Sequence, residues 1–326
     1  MRKYNILVTG VGAIIGYGVI ASLRKSKYDC KIVGMDIFYD AAGQVWCDEF
    51  VQAILAADKE YISFLKNQID KYDIDLVFFG TEQEIKKCYE CQEELGDYYK
   101  KLVINKDNLI ELTEDKWDTT CFLKDNGLNY IPSSISASFE EAKDEFGLPL
   151  LMKPRRSYAS KGICKVNSKE EFDSWKEEYA DQFMVQKLIG DEEHEYTAAT
   201  FGFGDGTCIK PIVMKRKLSK AGATDKAVVM PIPEIESEIR EMVKVLKPLG
   251  PTNFQFRLDG DQFLLLEINP RISSSTSIRT AFGYNEAEMC IDYFVEGIRP
   301  VDVELKTGRA YRYIADAVEY DDCNNI

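Results

Sequence analysis

A carboxylate, an amide and a guanidinium alternate at Glu267, Asn269 and Arg271, directly after the apolar run Phe263-Leu264-Leu265-Leu266. Alternation is the period of a strand, so the three polar side chains leave one strand end on the same side. Carboxylate and amide oxygens are the hard ligands that Mg²⁺ takes beside nucleotide phosphates. A guanidinium next to them can grip a phosphate or an acyl phosphate with two parallel hydrogen bonds. Upstream, Asn253-Phe254-Gln255-Phe256-Arg257 alternates in the same way, and Asp259-Gly260-Asp261 between the two runs has the composition of a hairpin turn. Such a hairpin lays Gln255 opposite Glu267. Taken alone, a solvated strand end accounts for the same residues equally well.

Other stretches offer complementary chemistry. Lys153-Pro154 closes a strand-like run, and the small, basic stretch from Arg155 to Gly162 follows it. A loop of this kind closes over phosphates with backbone N–H groups and mobile cations, and Gly162 permits a close approach. A basic surface hairpin fits the composition too, and the G-x-x-x-x-G-K-[ST] pattern of a P-loop is absent. Met184 to Gly190 forms an extended connection whose backbone groups suit the edge of an adenine. Glu195, with Glu192 and Glu193 beside it, offers acceptors for ribose hydroxyls. A plain connecting strand is the alternative there. Ser273-Ser274-Ser275-Thr276-Ser277 is rich in hydroxyls and follows Arg271, although serine runs are commonly just solvated loop.

The elements that must position these groups alternate from the start of the chain. Ile6–Thr9 is a strand, Gly10 to Gly16 a turn and helix start, and Lys31–Asp36 a second strand. Asp58–Tyr72 has helical spacing, Asp75–Phe79 is a short buried strand, and a further strand is expected at Leu102–Ile104. This order means an α/β, doubly wound parallel sheet. From Thr113 the pattern changes. A helix begins at Thr113-Glu114-Asp115-Lys116 and ends at Asn126-Gly127, and later segments read as hairpins, with turns at Gly204-Asp205-Gly206 and Asp259-Gly260-Asp261. Gly10-Val11-Gly12 and Gly16, with Asp36 ending the second strand, look like a dinucleotide fingerprint, but the spacing is G-x-G-x-x-x-G.

Composition narrows the function. The 326 residues suffice for two or three packed units. His194 is the only histidine, which excludes Ser-His-Asp, Cys-His and multi-histidine metal chemistry. A net charge of -14 argues against nucleic acid held on a broad basic surface. No apolar run approaches the ~20 residues that span a bilayer. The N-terminus has no signal-peptide pattern, and the nine cysteines include one C-x-x-C, Cys88 and Cys91, without a nearby histidine. A cytoplasmic protein with free thiols is expected.

In this order, the parts resemble the ATP-grasp superfamily, and in particular the branch of the carbamoyl-phosphate synthase large chain and the pyrrolysine-biosynthesis ligase. The marks are Lys116 in Glu-Asp-Lys, Lys153-Pro154 with its loop, the Gln186–Gly190 hinge, Asn253-Phe254-Gln255, and Glu267-Ile268-Asn269-Pro270-Arg271 with its serine run. They span about residues 113–295. The resemblance implies a Rossmann-like domain over 1–112, ATP-grasp lobes over 113–185 and 186–300, and a tail over 301–326. It implies ATP phosphates held by Lys116, Lys153 and the loop containing Ser160 and Gly162. Gln186, Lys187, Leu188 and Ile189 would frame the adenine, and Glu195 the ribose. Gln255, Glu267 and Asn269 would hold one or two Mg²⁺, with Mn²⁺ as a substitute. Arg271, with Lys153 and Asn269, would serve the transfer. Lys215-Arg216-Lys217 and Ala221-Gly222-Ala223 resemble the family's basic strand and glycine loop, or are simply a charged strand. Many relatives carry an acidic residue where Gln255 stands.

The implied activity joins a carboxylate, activated as an acyl phosphate, to an amine with release of ADP and phosphate. Phosphorylation without ligation is an alternative. An NAD(P)-binding oxidoreductase, built on the N-terminal glycines, is an alternative of another class. The partners expected are small carboxylates and amines and a second copy in a homodimer, with no nucleic acid and no membrane.

Overall fold

The structure is a computed structural model describing residues 2–157, 162–180, 182–220, 222–314, 316 and 318. Two compact units are present: Met1–Ile104 with Ile272–Leu305 and Tyr311–Ile326, and Asn105–Arg271 with Lys306–Ala310.

The first unit opens with β1 (Lys3–Thr9), α1 (Ile14–Leu23), β2 (Asp29–Asp36), β3 (Glu49–Gln52), α2 (Tyr61–Lys71), β4 (Leu76–Phe78), α3 (Glu82–Glu90) and α4 (Gln92–Leu95). The strands form a parallel sheet in the order β3-β2-β1-β4. Ile6, Leu7 and Val8 are all buried, as expected of a parallel strand covered on both faces. Gly16 is required by packing, because a Cβ there would stand 2.4 Å from the Gly10 carbonyl oxygen. The strand expected at Leu102–Ile104 shrinks to one parallel bridge, Val77 to Leu102. Conversely, β3 and the 3-10 turn before it carry no clear periodic signal. Cys88 is buried within α3, and Cys88 and Cys91 are both free thiols.

The second unit begins with α5 (Asp107–Glu114) and α6 (Lys116–Asp125). Then come β5 (Ser133–Ser134), α7 (Phe139–Phe146), β6 (Leu150–Pro154), β7 (Cys164–Val166), α8 (Lys169–Tyr179) and β8 (Phe183–Lys187). These strands form a four-stranded antiparallel sheet in the order β5-β8-β6-β7. Phe139 and Phe146 of α7 and Phe172 and Trp175 of α8 pack onto Leu150, Met152 and Phe183 of that sheet.

The chain continues through β9 (Glu195–Phe203), β10 (Ile212–Leu218), β11 (Thr224–Val229), α9 (Pro233–Leu246), β12 (Leu249–Asp259) and β13 (Gln262–Asn269). With β14 (Gly308–Tyr311) they make a six-stranded sheet in the order β13-β12-β9-β10-β11-β14. The turn at Gly204-Asp205-Gly206 is present, but β10 starts only after Pro211, which has no N–H to give a ladder. Ile235, Ile239, Met242, Val243 and Leu246 line one stripe of α9 and bury against Val213, Phe254 and Phe256.

Residues after Arg271 return to the first unit. There α10 (Thr276–Ala281) packs against α1, with Ser22 Oγ and Thr280 Oγ1 2.8 Å apart, and α11 (Glu286–Cys290) follows. Arg279 pairs with Glu286 at 3.2 Å, both side chains fully buried. Ser275 and Thr276 are likewise buried, so the serine run is packed structure rather than a solvated loop.

Candidate active site

The hairpin of β12 and β13 sets Gln255 opposite Glu267 and Asn253 opposite Asn269. Strict alternation fails at one point: a bulge interrupts the register between Gln255 and Phe256. Leu265 and Ile268, three residues apart, therefore both face the core cluster, while Leu264 and Leu266 pack beside Ile131 and Ile189. Bulges re-aim side chains in this way. The result is an apolar wall next to a row of oxygen donors. Beyond the strand, Arg271 Nη2 donates to Asn269 Oδ1 at 3.0 Å and Arg271 N to the Asn269 carbonyl at 2.8 Å.

Lys153 is the next-to-last residue of β6 and is only 5% exposed. Its pKa is lowered to about 8, by burial first and then by the Lys116 ammonium, with Glu267 opposing and Arg257 adding to the drop. Two ammonium groups, a guanidinium and one carboxylate therefore share a low-dielectric neighbourhood. A pocket opens here, lined by Lys116, Lys153, Gln186, Leu266, Glu267 and Ile131 among others.

Lys116 starts α6 because Asp115 caps it: Asp115 Oδ1 accepts from the N–H groups of Trp117 and Asp118 at 2.9 and 3.4 Å. Lys116 Nζ donates to the Ser157 carbonyl at 2.8 Å and to Ser157 Oγ at 3.1 Å. Arg155, expected as a mobile cation, is instead pinned to Asp115, with Nη2 2.8 Å from Oδ2 and Nε 3.1 Å from Oδ1. Gly162 has φ +75°, and a Cβ there would stand 2.7 Å from Pro154 Cγ, so the loop's return needs glycine. Ser160 lies outside the described residues.

The connection after β8 is held at both ends. Gln186 Nε2 donates to Ser133 Oγ at 2.8 Å, and Lys187 N to the Pro132 carbonyl at 3.0 Å. Lys187 Nζ and Gly190 N each reach the Asp259 carboxylate at 3.2 Å. Leu188 and Ile189 lie between these anchors, and Ile189 is buried. Gly190, with φ +46°, would place a Cβ 2.1 Å from the Leu258 carbonyl oxygen.

Glu195 is 5% exposed, and both of its oxygens are engaged. Arg216 Nη2 and Nε reach Oε1 at 2.7 and 3.1 Å, and Arg257 Nη2 reaches Oε2 at 2.8 Å. Arg216 Nη2 also donates to Gln255 Oε1 at 2.7 Å. Glu193, expected as an alternative, is exposed and pairs with Lys217 at 3.1 Å. Arg216 and Arg257 escaped the sequence argument as a pair around Glu195. Each stands opposite Glu195 on a neighbouring strand, a row that becomes visible only once the strand order is known. Ala221 of the glycine stretch lies outside the described residues.

In the first unit the glycine turn is satisfied internally. Gly12 N donates to Asp36 Oδ2 at 2.8 Å and Phe38 N to Asp36 Oδ1 at 3.1 Å. The carboxylate that a dinucleotide fold turns toward a ribose is thus spent on backbone. Glu84 is buried and accepts from Thr9, Thr81 and Tyr61 hydroxyls at 2.5, 2.7 and 2.9 Å.

A family model described as ATP-grasp in the biosynthetic pathway with Ter operon matches residues 181–317, taking in the hinge, β9 to β13 and the Glu267–Arg271 element. This part of the chain is thus similar to the ATP-grasp family. It is 26% identical over 221 residues to the carbamoyl phosphate synthase large chain of Pseudothermotoga lettingae, which covers 63% of this chain and 20% of that protein. The chain thus spans about a fifth of the length of the curated relatives it matches. Among solved structures, N5-carboxyaminoimidazole synthetase from Staphylococcus aureus complexed with ADP superposes with a TM-score of 0.73 at 18% identity, covering 94% of this chain and 82% of that one. The biotin carboxylase domain dimer of the Hydrogenobacter thermophilus 2-oxoglutarate carboxylase, in complex with MgADP, ADP and bicarbonate, superposes with a TM-score of 0.69 at 15% identity, covering 94% and 73%. These likenesses concern the fold and, at 94% of the chain, take in the parallel sheet of the first unit as well. Among the described residues no helix is long and apolar enough to cross a membrane.

Glu267, with Gln255 opposite it and Asn269 two residues on, offers the oxygen donors a hard divalent cation takes, the two amide oxygens accepting from Arg216 and Arg271 in its place. Among the described residues no group of three or more His, Cys, Asp or Glu side chains is placed to hold a metal.

Proposed function

We propose that this chain is an ATP- and Mg²⁺-dependent ligase that activates a carboxylate as an acyl phosphate and joins it to an amine. The observation that carries this reading is the gathering of Lys116, Lys153 and Glu267 around one pocket, with Gln255 and Asn269 adjoining Glu267. A buried ammonium, Lys153, whose charge is disfavoured by burial and by the neighbouring Lys116, is relieved by a polyanion, and a nucleotide triphosphate supplies it. The wall of Ile131, Ile189, Leu264 and Leu266 suits an adenine ring, and the backbone of residues 186–189 its polar edge. Ribose contacts fall to Glu192 or Glu193, or to Glu195 where one of its oxygens turns from Arg216 or Arg257 to the hydroxyls. Gln255, Glu267 and Asn269 would hold Mg²⁺, which when bound supplies positive charge to the phosphates; Mn²⁺ suits the same oxygen donors.

Lys116 and Lys153 hold the phosphates, and the loop ending at Gly162 covers them. The substrate carboxylate oxygen attacks the γ-phosphorus, and the bond to the ADP oxygen breaks. Arg271, steadied on Asn269, neutralises the transferred group and then the acyl phosphate. An amine attacks the acyl carbon, phosphate leaves, and the amine gives up a proton as the amide forms. The protein's part is positioning and charge stabilisation.

In this reading residues 113–185 and 186–300 act as the two lobes, with 1–112 preceding them and 301–326 as a tail. The substrates are a small carboxylate and a small amine. The eight free cysteines among the described residues suit a reducing compartment such as the cytoplasm. A homodimer is the assembly proposed, and light scattering checks it.

The test is an ADP-release screen of carboxylates crossed with amines, with products identified by mass. ADP release that depends on both partners and yields their condensed product supports the ligase. ADP release with carboxylate alone and an acyl phosphate trapped by hydroxylamine, with no amide in any pairing, contradicts it.

A further inference from the structure

Asp115 does more than start a helix. Its side chain is 1% exposed, and its two oxygens divide their work. Oδ1 caps α6 through the N–H groups of Trp117 and Asp118 and also meets Arg155 Nε. Oδ2 lies 2.8 Å from Arg155 Nη2 and 3.4 Å from Arg156 Nε. The next residue adds two more ties, because Lys116 N donates to the Arg155 carbonyl at 3.0 Å and Lys116 Nζ to the Ser157 carbonyl at 2.8 Å. Two consecutive residues of the helix start thus grip three consecutive residues of the basic loop.

A cap alone does not need this residue. Serine or asparagine caps a helix about as well as aspartate, because one acceptor oxygen suffices. The second oxygen and the negative charge serve the arginines, and a planar guanidinium over a carboxylate fixes direction as well as distance. Arg155 also ties the loop to the sheet, its N–H donating to the Gln182 carbonyl at 2.9 Å.

We propose that Asp115 is a positioning residue: it clamps the Arg155–Ser157 arm of the loop against the start of α6 and so sets Lys116, and the loop's entry, for the nucleotide phosphates. Arg155 and Arg156 are then members of the clamp, and the phosphate contacts fall to Lys116 and Lys153. This rests on the nucleotide reading of the pocket.

Asp115→Asn separates the two roles, since it keeps a capping oxygen and removes the charge. In the full chain, limited trypsin digestion should cut after Arg156 ~10-fold faster in the variant, and the MgATP dissociation constant should rise ~10-fold, the loss of a charge-assisted pair. The rate of ADP release at saturating ATP should stay within about threefold, since no group touching the reacting atoms changes. Asp118→Asn, altering a half-exposed carboxylate 3.4 Å from Arg155, should leave all three values unchanged. Wild-type trypsin susceptibility and MgATP affinity in Asp115→Asn would overturn the proposal, as would a fall in the saturated rate with affinity intact. Should Asp115→Asn fail to fold, Arg155→Gln removes the clamp and keeps the cap, and unaltered MgATP affinity there overturns it equally. MgATP binding to the wild-type chain is measured first: its absence removes the nucleotide reading and this proposal together, whereas its presence with an indifferent Asp115→Asn removes only the proposal.

Discussion

Glu84 and Glu267 are carboxylates held close to sheet strands in different units, and their surroundings are opposite in kind. Glu84 is met by three neutral hydroxyls, from β1, α2 and the residue capping α3. Burial raises its pKa, and those hydroxyls pull it back in part. Glu267 faces an amide across the hairpin and shares a pocket with the ammonium groups of Lys116 and Lys153. The first arrangement is complete in itself and ties elements together. The second keeps like charges close at an energetic cost that an anionic ligand relieves. The surrounding charges, rather than burial, thus make Glu267 the candidate for a functional role and Glu84 a structural tie.

That contrast can be broken by exchanging the roles. Glu267→Gln should lower ADP release roughly 10³-fold, the scale of a lost electrostatic contact in the transition state, while the melting temperature of the free protein barely moves. Activity near wild type would show that Glu267 resembles Glu84 after all. Glu84→Ala should instead cost on the order of 3 kcal/mol in urea unfolding, about 1 kcal/mol for each hydroxyl left without its acceptor, with MgATP affinity of the folded protein unchanged. Lys153→Met should weaken MgATP binding by ~30-fold, about 2 kcal/mol, by calorimetry.

The pH dependence sharpens the comparison further. With its pKa lowered to about 8, Lys153 loses its charge as pH rises through that value, so MgATP affinity should fall by up to ~10-fold per pH unit above it. Stability of the free protein responds in the other direction. Between about 8 and the ordinary 10.5 the unfolded chain binds the proton more readily, so this lysine adds stability as pH rises through that window. A flat affinity profile from pH 7 to 9 would remove Lys153 from the phosphate site. The smallest effect concerns the other unit: Asp36→Asn, which keeps one acceptor for Gly12 and Phe38, should cost about 1 kcal/mol and leave nucleotide binding alone.

Much of this was legible in the sequence where the signal is local. Apolar runs punctuated by glycine reported β1, α1 and β2, and alternation on either side of Asp259-Gly260-Asp261 reported the opposition of Gln255 and Glu267. What escaped depends on contacts distant in the chain. The bulge beside Gln255 follows from how two strands are matched, and neither strand shows it alone. Arg216 and Arg257 converge on Glu195 because β10, β9 and β12 are neighbours, an order that composition does not encode. Arg155 looked mobile because its partner Asp115 lies forty residues earlier. The serine run looked solvated because hydroxyls usually are, whereas Ser275 and Thr276 are buried in the first unit.

The central claim is that the nucleotide site belongs to the unit of Asn105–Arg271 and that the N-terminal glycine turn is not a dinucleotide site. Titration calorimetry of MgATP and of NAD⁺ into the wild-type chain and into Lys153→Met and Glu267→Gln tests it directly. MgATP should bind the wild-type chain at one nucleotide per chain, both substitutions should weaken it, and NAD⁺ should give no heat. Binding of NAD⁺, or MgATP binding that both substitutions leave untouched, would contradict it.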